Sequence, residues 1–91
     1  MPRFLVEVEH DPGPDACKRA VEVFLRTGSH YFTHADWGCM DGEHKTWIIM
    51  ELDSRHEALN LVPADYRARA RAIQLNTFTI AQLDQMHRKA T

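Results

Sequence analysis

Two apolar rhythms alternate along this chain, and their order narrows the possible folds more than any single motif does. Arg3 to Glu9 sets Phe4, Val6 and Val8 against Leu5, Glu7 and Glu9, the period-two pattern of a strand with one apolar face. The breaker cluster His10-Asp11-Pro12-Gly13-Pro14 ends it. From Asp15 the spacing becomes helical, with Cys17, Ala20, Val21, Phe24 and Leu25 on one side and Gly28 placed to terminate the helix. His30 to Trp37 and His44 to Asp53 then read as two strands rich in β-branched and aromatic residues, joined around Asp41-Gly42. If that dipeptide is a two-residue turn, Cys39 faces His44, Asp36 faces Trp47, His34 faces Ile49 and Phe32 faces Glu51. Ser54-Arg55-His56-Glu57 is a capping box that opens a short helix ended by Pro63. Arg71 to Phe78 predicts a fourth strand, and Thr79-Ile80-Ala81-Gln82 a second capping box and a terminal helix.

The resulting order, β-α-β-β-α-β-α, predicts an α+β, ferredoxin-like βαββαβ antiparallel sheet with an extra C-terminal helix. In that arrangement the strands run fourth, first, third, second, and two helices cover one face. By parity the helix-free face carries Leu5, Glu7 and Glu9, then His30, Phe32, His34 and Asp36, then Trp47, Ile49 and Glu51, and finally Gln74, Asn76 and Phe78. Leaving so many large apolar groups in water would expose an unusual patch, so a partner surface is expected, and a second copy is the simplest.

With 91 residues, a second independent core is not expected, and residues 1–91 read as a single domain. A charged share of 26% fits a globular chain, and no apolar run reaches the roughly 18 residues that span a bilayer. Met1-Pro2-Arg3 leads into a strand without an apolar leader, so a cytoplasmic protein is expected. There both cysteines, Cys17 and Cys39, would stay reduced, with Cys17 a small core residue and Cys39 the more reactive thiol at the hairpin end. Arg67, Arg69 and Arg71 make the C-terminal third mildly basic, which falls short of the broad basic surface with interleaved aromatics that nucleic acid requires. Neither nucleic acid nor membrane is an expected partner.

The chain resembles the dimeric α/β-barrel superfamily, in which two ferredoxin-like domains pack sheet to sheet around a cavity. Within it the likeness is to small bacterial domains that begin much like Pro2-Arg3-Phe4-Leu5-Val6-Glu7 and carry a stretch like Thr33-His34-Ala35-Asp36-Trp37-Gly38-Cys39. The likeness implies the fold and a homodimer. It assigns no activity, since relatives include isomerases, cofactor-free monooxygenases, haem-degrading enzymes and nickel binders, and no catalytic motif of theirs is matched here.

The candidate catalytic group is therefore read from the helix-free face: Glu7, His34, Asp36 and Glu51, with Trp47, Asn76 and Phe32 as ligand-binding neighbours. A carboxylate desolvated in a closed cavity has a raised pKa and histidine titrates near neutrality, so such a set can exchange protons with a small substrate. The same chemistry suits a divalent transition metal held by His34, Asp36 and Glu51, with Cys39 and His44 across the hairpin as the alternative pair. His30 and His34 stand about 13 Å apart on a regular strand and cannot share an ion. Three functions stay open: a homodimer that binds and transforms a small molecule by proton transfer, a non-catalytic divalent-metal-binding protein, and a structural or regulatory dimer.

Overall fold

The computed structural model describes the backbone of residues 1–90 and the side chains of residues 1–86. It is an α+β structure with a four-stranded antiparallel sheet ordered β2-β3-β1-β4. The strands are β1 (Arg3–Glu9), β2 (Asp36–Trp37), β3 (Lys45–Glu51) and β4 (Ala70–Leu75). The helices are α1 (Pro14–Arg26), α2 (His30–Thr33), α3 (Arg55–Leu61), α4 (Ala64–Arg67) and α5 (Ile80–Ala90), and a 3-10 turn covers Cys39–Asp41.

The alternation in β1 sets the core. Phe4, Val6 and Val8 are buried and meet Ile48 and Met50 of β3, while Ala20 and Phe24 of α1 and Ala58 of α3 are buried on the same side. Each large apolar side chain removed from water here contributes about 1.5–3 kcal/mol. One capping box forms in full and the other by half. Ser54 Oγ accepts the Glu57 N–H at 3.1 Å, although the Glu57 carboxylate accepts the N–H of Asp53 and not that of Ser54. At α5, Thr79 and Gln82 exchange both bonds, at 2.8 and 3.1 Å.

The second strand departs from expectation. His30 to Thr33 is a helical turn, because Ser29 caps it by accepting the Tyr31 N–H and because the turn buries Phe32 edge-on against Phe24, ring centroids 5.0 Å apart. Only Asp36 and Trp37 remain as strand, and Asp36 faces Trp47 as the hairpin pairing requires. The expected pairings of His34 with Ile49 and Phe32 with Glu51 do not form. The connection is also longer than a two-residue turn: Gly38 accepts from Asp41 and Glu43, and Gly42 takes a left-handed conformation at φ 84°.

The parity of β4 is the reverse of that expected. Val6 pairs with Ala72, Leu5 with Ile73, and Phe4 with Gln74, so Ile73 and Leu75 lie on the helix-free face and Gln74 does not. Small residues Ala70 and Ala72 instead pack against the core. Asn76 and Phe78 lie beyond the strand. In α5, every residue from Ile80 to Met86 is exposed, and the longest molecular axis reaches 52 Å. No helix among the described residues is long and apolar enough to cross a membrane.

Candidate functional site

On the helix-free face the expected group divides. Glu7 is fully engaged: the Trp47 indole N–H donates to its Oε1 at 3.1 Å, Arg71 Nε donates to Oε2 at 2.8 Å, and Lys45 Nζ lies 3.8 Å away. The Trp47 hydrogen bond, followed by the bond and charge of Arg71 and the charge of Lys45, holds this carboxyl below the usual carboxylate range despite the opposing effect of burial. The raised pKa expected of a proton carrier is thus reversed at Glu7. It is a fixed anion.

His34 and Asp36 do come together with Trp47, at a cavity of about 400 Å³ whose lining also includes Leu5, Ile49 and His30. His34 ends α2, and Asp36 begins β2, so the helical turn brings His30 and His34 to one opening where a strand would have separated them. Glu51 does not reach this cavity. It lies four residues along β3 from Trp47, about 13 Å in an extended strand, and is exposed. Phe32 is buried in the core and cannot touch a ligand on the open face, and Asn76 is exposed past the end of β4. His34, Asp36 and Glu51 therefore do not converge as metal ligands.

A second constellation forms on the helix side. Cys17, in the first turn of α1, and Cys39, in the 3-10 turn, are joined as a disulfide with Cα atoms 6.6 Å apart. Both thiols were expected free. The six-residue connection after Gly38 folds Cys39 back toward α1, away from a simple opposition to His44, and neither cysteine of the described chain is free. His10 is buried beside the pair, its Nε2 3.1 Å from Cys39 Sγ, while its Nδ1–H donates to the Asp11 carbonyl at 2.8 Å. Since a carbonyl only accepts, that bond assigns the proton to Nδ1 and presents the Nε2 lone pair to the sulfur. An ion pair between Arg69 and Asp11 at 2.9 Å holds the loop that carries this carbonyl.

His44 completes the cluster. Its backbone carbonyl accepts the His10 N–H at 3.0 Å, its ring lies edge-on to that of His10 at 5.7 Å, and its buried Nδ1 has no hydrogen-bond partner. Cys17, Cys39 and His44 line a mainly apolar cavity of about 450 Å³ with Gly13, Pro14 and Lys18. Cys39 and His44 were candidates from sequence. His10 was read as a loop residue, although Phe4, Val6, Val8 and His10 share one parity and that signal puts it on the core side.

Comparison with protein families, curated proteins and solved structures finds no match to this chain.

Proposed function

We propose that two copies of this chain pair through their helix-free sheet faces as a ferredoxin-like, dimeric α/β barrel, and that the enclosed space binds a small molecule. The observation that carries the reading is the uncovered apolar surface formed by Leu5, Trp47, Ile49, Ile73 and Leu75, of which Ile49 is 52% and Ile73 40% exposed. A contiguous apolar face of this kind is a partner surface more often than a solvated one. The strand order β2-β3-β1-β4, with α1 and α3 packed on the opposite, core side, agrees with it.

Burial by a second copy would close the cavity beside Leu5, Trp47 and Ile49, with His30, Tyr31, His34 and Asp36 as its polar lining. The ligand class this suits is a small, mainly apolar molecule with one hydrogen-bonding or acidic group. His34 exchanges a proton with that group and Asp36 assists, while Glu7, held by Arg71 and Lys45, is a fixed anion outside the lining of this cavity.

Light scattering at micromolar concentration tests the pairing. The wild type runs as a dimer and Ile49→Glu, which would bury an unpaired charge in the interface, runs as a folded monomer. A monomeric wild type ends the reading. Native mass spectrometry tests the ligand: a small molecule retained by the wild type is lost from His34→Ala.

A further inference from the structure

We propose that Cys17, Cys39 and His10, with His44 as the fourth donor, form a site for a zinc-class divalent metal that opens when the Cys17–Cys39 disulfide is reduced. An imidazole nitrogen of His10 and the two sulfurs all lie within 4.8 Å of one another, and among the described residues no other three such donors are so close. Tetrahedral zinc with thiolate and imidazole ligands needs donor separations of about 3.3–3.8 Å, given bond lengths near 2.3 and 2.0 Å. The two cysteines stand on Cα atoms 6.6 Å apart, which leaves their side chains room to spread to that spacing once unlinked, and His44, outside the three-donor group, turns in from the wall of the cavity it shares with them.

The surroundings resemble a prepared ligand shell more than a structural staple. The His10 Nδ1–H bond to the Asp11 carbonyl fixes the tautomer in which Nε2 is free to ligate, and a metal-bound histidine commonly holds its other ring nitrogen this way. In the disulfide state Nε2 faces Cys39 Sγ at 3.1 Å with no hydrogen on either atom, so the contact satisfies neither. His44 Nδ1 is a second buried nitrogen without a partner. Two thiolates and two neutral imidazoles balance a divalent cation. Cys17 adds a favourable position, since the first turn of the 13-residue α1 stabilises an anionic sulfur. The cavity bordered by Gly13, Pro14, Lys18 and Met40 gives an ion its path from solvent.

The gating step balances with a dithiol as reductant. The dithiol gives two electrons and two protons and becomes a disulfide, while the Cys17–Cys39 bond breaks to two thiols. On metal binding the two thiol protons pass to solvent, and the ion accepts an electron pair from each sulfur and each imidazole. This centre lies on the helix side of the sheet, so it functions alike in a monomer or a dimer and its test is independent of pairing.

Cobalt(II) titration tests it. Anaerobic protein reduced with a phosphine should take up one equivalent per chain, with a thiolate-to-cobalt absorption band that zinc abolishes, whereas the disulfide form should show no band. Cys39→Ser should lose the band, and His10→Ala and His44→Ala should each weaken binding at least about tenfold. The oxidised and reduced wild types provide the comparison that needs no variant. A reduced wild type without the band, equal uptake by the oxidised protein, or unchanged cobalt binding by Cys39→Ser overturns the proposal.

Discussion

His10 and His44 face each other one step beyond the last pair of the β1–β3 ladder. The His10 N–H donates to the His44 carbonyl at 3.0 Å, continuing the register in which Glu9 pairs with Lys45. Their rings are unequally satisfied, because His10 uses Nδ1 while His44 Nδ1 is buried and alone. His44→Phe keeps a ring of similar shape and removes the orphan nitrogen, so in metal-free oxidised protein it should be neutral or stabilising by up to about 1 kcal/mol. His10→Ala should cost about 2 kcal/mol through lost packing and a lost hydrogen bond. Urea unfolding of the two variants separates these signs.

The Cys17–Cys39 link spans 22 residues of sequence, for which loop-closure entropy gives about 3 kcal/mol of stabilisation. Reduction without metal should lower the melting temperature by on the order of 10–20 °C. Iodoacetamide should label no cysteine in the folded oxidised protein and both after reduction. Labelling of the untreated protein at Cys39 would show a free thiol there.

Glu7 sets an acid limit on stability. Its pKa in the fold lies below the 4.5 of an unperturbed glutamate, so the unfolded chain takes up the proton first. The contribution of Glu7 is therefore complete above about pH 4.5 and is lost as pH falls through the lower folded value. Glu7→Gln should be less stable than wild type at pH 7, and the gap should narrow below pH 4. A constant gap across that window would mean that the ion pair with Arg71 carries none of it.

Gly38 is fixed by its neighbours. A Cβ there would stand 2.8 Å from the Glu43 carbonyl oxygen and 2.9 Å from the Trp47 ring, and its φ of −97° imposes no need for glycine by itself. Gly38→Ala should therefore destabilise by about 1–3 kcal/mol through crowding. Changed tryptophan emission would accompany it, since Trp47 must move. A variant as stable as wild type would indicate that the turn is looser than the contacts imply.

Much of this fold is legible in residues that decide locally. The alternation from Phe4 to Val8 marks the core face of β1, and Asp36 stands opposite Trp47 in the register counted from Asp41-Gly42, although the connection itself is longer than a two-residue turn. Ser54 and Thr79 announce helix starts through their own hydroxyls. What escapes the sequence depends on tertiary contact. Tyr31 and Phe32 favour a strand by propensity, yet Phe24 offers Phe32 a buried edge-on site that a strand would not reach. In β4, Ile73 and Leu75 look like core residues, but pairing with Leu5 and Arg3 turns them outward and gives the helix side to alanines that let α3 approach. The Cys17–Cys39 bond joins an early helix to a later turn, a proximity that no local spacing encodes.

The short α2 also governs how this protein meets other chains. A strand from His30 to Trp37 would have offered a long outer edge of open N–H and C=O groups, a template on which a foreign strand can grow. Folding His30–Thr33 into a helix shortens the outer strand to Asp36 and Trp37, which pair with β3 only at Trp47 and Thr46, and sets α2 beside the rest of β3, where the Tyr31 hydroxyl donates to the Glu51 carbonyl at 3.2 Å. A foreign strand therefore meets, on this side, two residues of β2 and a stretch of β3 flanked by a helical turn, in place of one long continuous strand.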